Sequence, residues 1–170
     1  APLLGWSMTR SVASAMIGIL VKEGKLKVEA PAPIDEWKDD KRKAIKLDNL
    51  LRMNSGLRFD ENYGKVSAAT KMLFKTPNAG QFALRYKMRA EPGQEWYYSS
   101  GTTNILQEII RRQFNSLNDY LAFPHQRLFD KLGMGTAVME PDPAGNYVGS
   151  SFMFASARDW AKFGQLYLQD

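Results

Sequence analysis

A long apolar helix with a small polar entrance opens this chain and limits what the rest of it can fold into. Gly5-Trp6-Ser7-Met8-Thr9-Arg10-Ser11 leads into residues 12–21, an apolar run broken by Ser14 and Gly18 and ended by Lys22-Glu23-Gly24. The run falls well short of the about 18 apolar residues that cross a bilayer, so it reads as a buried helix that later elements must cover. Ser7 or Thr9 is placed to cap it and Gly24 to stop it. Ser7 and Arg10 stand three residues apart, which puts them on one helix face with Cβ atoms roughly 5–6 Å apart. A serine hydroxyl beside an amine at that spacing suits nucleophilic attack with proton transfer. Here the amine is a guanidinium, protonated at any working pH. The competing reading of Ser7 is a plain helix cap, and Ser55-Gly56-Leu57-Arg58 repeats the spacing with no helix start around it.

The 170 residues are 44% hydrophobic and suit one domain, 1–170, with a real core. With no cysteine, disulfides, thiolate catalysis and Cys-ligated zinc are excluded. The single histidine, His125, cannot build a His-rich metal site and reads as structural, so neither metal nor cofactor is expected. The net charge of +5 is interleaved with acids, as in Lys38-Asp39-Asp40-Lys41-Arg42-Lys43, which reads as a solvated surface and not a nucleic-acid patch. Neither a nucleic-acid partner nor a membrane span is expected. The first residues lack the basic and apolar regions of a signal peptide, and the compartment, periplasmic or cytoplasmic, stays open.

Further along, the pattern predicts short helices near 47–53, 66–74 and 78–90, separated by the turn Asn54-Ser55-Gly56 and stopped by Glu91-Pro92-Gly93. An aromatic loop, Trp96-Tyr97-Tyr98-Ser99-Ser100-Gly101, precedes a helix over about 103–114. Ser116 with Asp119 opens another to about 132, with a kink expected at Pro124. Residues 134–154 hold one or two short strands. Ser156 with Asp159 caps a last helix whose Trp160, Phe163, Leu166 and Tyr167 share a face.

Pro92-Gly93-Gln94-Glu95-Trp96-Tyr97-Tyr98-Ser99-Ser100 has the form P-G-x-x-aromatic-x-Y-S-N/S. Alone, Tyr98 is a packed aromatic; near a cation and a serine it is a candidate for proton transfer. Together with the Ser7–Arg10 segment and Leu50-Leu51-Arg52-Met53-Asn54-Ser55-Gly56-Leu57, this loop resembles the serine β-lactamase-like family of class C β-lactamases, esterases and D-aminopeptidases. Within it, the 6-aminohexanoate-dimer hydrolase branch is the most similar. The resemblance extends to Ser150-Ser151-Phe152 and Ala157-Arg158-Asp159-Trp160.

The resemblance implies roles residue by residue. Ser7 matches the nucleophile, Arg10 takes the place of the activating lysine of an S-x-x-K motif, and Tyr98 matches the proton-transfer tyrosine. Ser100 replaces the asparagine of β-lactamases, as in the hydrolase branch. Tyr63 matches a tyrosine that contacts the substrate amide, and Ser150 falls at a substrate-pocket position. No K-T-G or H-x-G motif follows; Lys75-Thr76-Pro77 lies before the tyrosine motif and has proline where glycine is needed.

The expected fold is therefore mainly α, the helical region of the β-lactamase/transpeptidase-like α+β fold, with only short strands and most of the sheet missing. Apolar surface is expected to remain exposed, favouring self-association or association with the rest of such a fold. The expected function is a serine hydrolase of small amides or esters through an acyl-enzyme, weakened by Arg10 and by truncation. The alternative is a catalytically silent fragment that binds a ligand or partner.

Overall fold

The computed structural model describes residues 1–169. Among these residues the chain forms seven α-helices and a three-stranded sheet. Strand β1 is Leu3–Leu4, and helix α1 is Thr9–Lys22. Short helices follow: α2 (Leu47–Leu51), α3 (Ala68–Lys75) and α4 (Ala79–Leu84). Next come α5 (Ser100–Arg111) and α6 (Leu117–Pro124), which passes into a π-helical turn, His125–Phe129. Strands β2 (Val138–Met139) and β3 (Met153–Ala155) precede α7 (Ala157–Leu168). The sheet is antiparallel in the order β1-β3-β2, with Leu3 opposite Ala155 and Val138 opposite Phe154.

The centre of the molecule is α5, on which α1, α2, α3 and α4 pack. It is buried from Ser100 to Ile110. Its apolar stripe, Ile105, Leu106, Ile109 and Ile110, joins Val12, Met16, Ile17 and Leu20 of α1 in one core. A helix buried all round must satisfy its polar side chains internally. Gln107 donates to Tyr120 Oη at 2.8 Å, and the Glu108 carboxylate accepts from Gln81 and Asn146 and pairs with Arg112. Gly80 lets α4 approach: a Cβ there would lie 2.8 Å from Glu108 Cβ. Arg112 also bonds Glu36, whose carboxyl is lowered to about 2 chiefly by that hydrogen bond.

Several expectations need correction. Neither Ser7 nor Thr9 caps α1. Residues 6–8 form a 3-10 turn that runs straight into the helix, so the backbone is already helical where an extended capping residue would stand. Thr9 Oγ1 is buried without a hydrogen-bond partner. Nor is α1 buried all round: Val12, Met16 and Leu20 face the core, while Ser11, Ser14 and Gly18 are exposed. The helix expected over 78–90 ends at Leu84, because the chain beyond it pairs with the 56–58 segment. Arg58 N–H donates to Lys87 O and Arg89 N–H to Gly56 O, each at 2.8 Å. α5 begins three residues earlier than expected, since Ser99 is its cap and accepts from Thr102 N–H. β1 was invisible to periodicity at two residues long.

Other expectations match the structure. Gly24 ends α1 at a positive φ of 73°, Ser116 caps α6, the helix is interrupted after Pro124, and Ser156 caps α7. The α7 face is covered only in part: Phe163 is buried, Trp160 half-buried, and Leu166 and Tyr167 are exposed. Leu3 and Val138 on the outer strands are exposed as well, so apolar surface does remain uncovered. None of the helices is long and apolar enough to cross a membrane among the described residues.

Candidate active site

The turn that presents Ser7 is backbone-strained. Trp6 has φ +45°, and Met53 beyond α2 has φ +58°; both are non-glycine residues in the left-handed region. Met53 lines the cleft that Ser7 opens onto, and Trp6 immediately precedes Ser7 in the chain. Met53 is tied in place by Tyr97, whose N–H donates to Met53 O at 2.7 Å, and Gly93 N–H donates to Asn54 O at 2.8 Å. The turn at 53–56 thus carries the aromatic loop, and the loop delivers Tyr98.

Ser7, Arg10, Met53, Trp96, Tyr98 and Thr103 line a cleft of about 380 Å³. Ser7 is exposed and Tyr98 is 39% exposed, so both are open to a substrate. Arg10 Cζ lies 4.2 Å from the centre of the Tyr98 ring, a cation–π contact. Three segments of the sequence reading, at residues 7–10, 51–53 and 96–98, therefore meet in one place.

Below the cleft, Arg10 is fixed by a polar network. Its terminal nitrogens donate to Thr103 Oγ1 at 3.1 Å, Ser100 Oγ at 2.7 Å and Glu61 Oε1 at 3.2 Å. The side chains of Arg10 and Glu61 are only 9% and 13% exposed. Arg10 Nε is buried without an acceptor. Glu61 is the hub of the network: its carboxylate accepts Ser100 N–H at 2.8 Å and the Ser100 hydroxyl at 2.5 Å. Tyr63 Oη lies 2.8 Å from Glu61 Oε1 and 2.7 Å from Ser100 Oγ. Burial, reinforced by Glu61, raises the Tyr63 phenol above its ordinary pKa, so it stays a neutral hydroxyl near neutral pH.

One family model, Beta-lactamase, matches residues 4–170. The chain belongs to the Beta-lactamase family. No curated protein sequence matches it. Among solved structures, it is similar to a Bacillus anthracis protein provisionally assigned as a 6-aminohexanoate-dimer hydrolase. That match has 24% identity and a TM-score of 0.81, over 99% of this chain and 48% of that one. It is also similar to the D-amino acid amidase from Ochrobactrum anthropi SV3 in complex with L-phenylalanine amide. There the identity is 20% and the TM-score 0.70, over 93% of this chain and 53% of the amidase. A D-stereospecific amidohydrolase from Streptomyces sp. matches at 15% identity and a TM-score of 0.73, over 99% of this chain and 61% of that one. These likenesses show the shared fold. The chain spans about half the length of the first of these structures.

Within this Beta-lactamase family chain, the six residues singled out in the sequence do not all reach the cleft. Ser7, Arg10 and Tyr98 line it; Tyr63 is 53% exposed beside it and joins the network beneath. Ser100 is fully buried, and its hydroxyl is occupied by Arg10, Glu61 and Tyr63, so it anchors the site from below and does not face a substrate. Ser150 is also fully buried. Its hydroxyl takes the Asn104 amide at 3.0 Å and lies 3.0 Å from Ser151 Oγ, which pins the 146–151 loop to α5 away from the cleft. His125 stands on the π turn near Asp130 and Phe129, outside the cleft. Among the described residues, no group of acidic or histidine side chains could hold a metal ion. Glu61 is the residue of this network that sequence reasoning passed over. The signal was present: an arginine inside a helix-packed site requires a nearby carboxylate.

Proposed function

We propose that the Ser7 cleft is the acyl-transfer site of a serine hydrolase acting on small amides or esters. The observation that carries this reading is the convergence of Ser7, Arg10 and Tyr98 on one open cleft in a chain of the Beta-lactamase family. In this mechanism Ser7 Oγ attacks the substrate carbonyl carbon while the phenolate form of Tyr98 takes its proton on Oη, becoming the neutral phenol. The acyl–oxygen or acyl–nitrogen bond then breaks, and the same proton passes to the departing alcohol or amine. Water hydrolyses the resulting Ser7 ester by the reverse proton path. Arg10 moves no proton: its guanidinium stays charged and offers a fixed cation to the negative charge that develops beside it.

The hydrolase and amidase names among the structural neighbours support amides as the substrate class, and esters follow because the same attack on a carbonyl carbon cleaves them. With a buried serine at 100 in place of the asparagine of lactamases, the cleft lacks that side-chain amide, which supports linear substrates over β-lactams. With purified protein, acylation of Ser7 by p-nitrophenyl butyrate is expected to run at least about tenfold faster than opening of a chromogenic cephalosporin. The reverse order would overturn the substrate assignment. A second reading, a cleft that binds without turnover, is favoured by one observation: Glu61 locks the cation that stands where a proton-accepting amine is expected.

A further inference from the structure

A second hollow, sharing no lining residue with the Ser7 cleft, is walled by positive charge. Asp40, Lys41, Arg42, Arg85, Lys87 and Met88 enclose about 480 Å³, a size common among small-molecule sites. The local sequence builds this wall. In Arg85-Tyr86-Lys87-Met88-Arg89 basic and apolar residues alternate, and extended backbone sends alternate side chains to opposite faces. Tyr86 packs against the rings of Phe59 and Phe82, and Met88 is half-buried, while Arg85, Lys87 and Arg89 are exposed. Leu57 pairs with Met88 in an antiparallel bridge, which sets Arg58 opposite Lys87 on the exposed face. Arg58 N–H donates to Lys87 O at 2.8 Å.

The acids interleaved with these cations in the sequence are committed elsewhere in the fold. Asp40 lines the hollow, but its carboxylate accepts Arg42 N–H, Nε and Nη2, so the two charges cancel. Arg42 Nη1 in turn donates to Leu84 O at 2.6 Å, fastening the turn at residues 40–42 beside the 84–88 segment. Glu95 takes Arg89 at 2.5 Å, and Glu91 reaches Lys41 only at 3.7 Å, with both side chains mostly exposed. Among the described residues no carboxylate pairs with Arg58, Arg85 or Lys87. Like charges directly opposite each other weaken a strand pairing, and an anion seated beside them removes that cost. Guanidinium forks and an ammonium together match the oxygens of a phosphoryl group. No ring lines the hollow, so it offers no platform on which the bases of a nucleic acid could stack.

We propose that this hollow is a binding site for a small soluble phosphate compound. Arg85 and Lys87 would hold its charged oxygens, with Arg58 and Lys41 alongside. The site is independent of the chemistry at Ser7. Its occupant would tie the 85–88 segment to Lys41 and relieve the repulsion across the Arg58–Lys87 pairing, which holds the 53–56 turn in place.

The test uses pyrophosphate titrated into the full chain, followed by backbone amide shifts, with sodium chloride at matched ionic strength as the reference. Saturable shifts are expected at residues 40–42 and 85–88, with a rise in unfolding temperature that chloride does not give. The triple variant Arg58→Gln, Arg85→Gln, Lys87→Gln should bind at least about tenfold more weakly. Lys65→Gln, Lys71→Gln, Lys75→Gln removes the same charge around α3 and should bind as the parent does. All six side chains are exposed, so both variants are expected to fold. Absence of saturable shifts, a response that chloride reproduces, or equal weakening in the two triple variants would each overturn the proposal. Shifts at the same residues from oligothymidylate or phosphatidylglycerol vesicles, but not from pyrophosphate, would overturn it in favour of a polymer or a membrane surface.

Discussion

Replacing Arg10 with lysine is expected to speed acylation of Ser7 by p-nitrophenyl butyrate, and adding Glu61→Gln to speed it further. The guanidinium cannot give up its proton, whereas a lysine amine can. Glu61 Oε1, 3.2 Å from the Arg10 terminal nitrogen, would nonetheless hold a lysine in its charged form, because a nearby opposite charge favours ionisation. Glutamine at 61 retains a carbonyl to accept from Ser100 and Tyr63 while removing that charge. The single change should therefore recover a modest part of the rate, and the double change about 10²-fold over the parent, the scale of one restored general base. Glu61→Gln alone should give no gain, since Arg10 stays protonated, and should lower stability by about 3 kcal/mol by leaving a mostly buried cation without its carboxylate. The shorter lysine also removes the Arg10 Nε–H that is buried without an acceptor, so it is not expected to destabilise the fold. Equal acylation rates across all four proteins would refute the idea that Arg10 limits the site.

A second large effect is expected far from the chemistry. Gly56→Ala should cost about 3 kcal/mol in urea unfolding, from a left-handed backbone penalty and a steric clash together. Gly56 has φ +75°, and a Cβ there would lie 2.2 Å from Ala90 O and 2.9 Å from Ala90 C, backbone atoms that cannot rotate away. Gly56 O also accepts from Arg89 and Ala90 N–H, holding the 85–90 segment against the 53–56 turn. That turn anchors Tyr97 through Met53 O, so the variant should slow Ser7 acylation as well as weaken the fold. A loss below about 1 kcal/mol would show that the Gly56–Ala90 approach is softer than its geometry implies.

Much of this arrangement was legible in the residues. The apolar run after Ser7, the turn at Asn54-Ser55-Gly56, and the serine caps of α6 and α7 each rest on local chemistry, and each lies where that chemistry places it. Ser7, Arg10 and Tyr98 were found by spacing and motif, and the fold brings them to one cleft. What could not be read depends on distant partners. The end of α4 at Leu84 is set by pairing with residues 56–58, and β1 exists only because β3 lies beside it. Ser7 reads as a cap until the 3-10 turn over residues 6–8 is seen to make the backbone helical before α1 begins. Glu61 sits 51 residues from Arg10, so an arginine inside the site calls for a carboxylate without the sequence saying which one answers. Ser100 and Ser150 show the same limit, since a matching residue type does not say which way a hydroxyl is held.

The central claim is that Ser7 is a nucleophile in an open cleft. Mass spectrometry of the intact chain and its peptides after treatment with a fluorophosphonate tests it most directly. The expected result is a single adduct on Ser7, slowed by about 10²-fold in Tyr98→Phe and absent in Ser7→Ala. An unmodified Ser7 in folded protein, or labelling that Tyr98→Phe leaves unchanged, would contradict it.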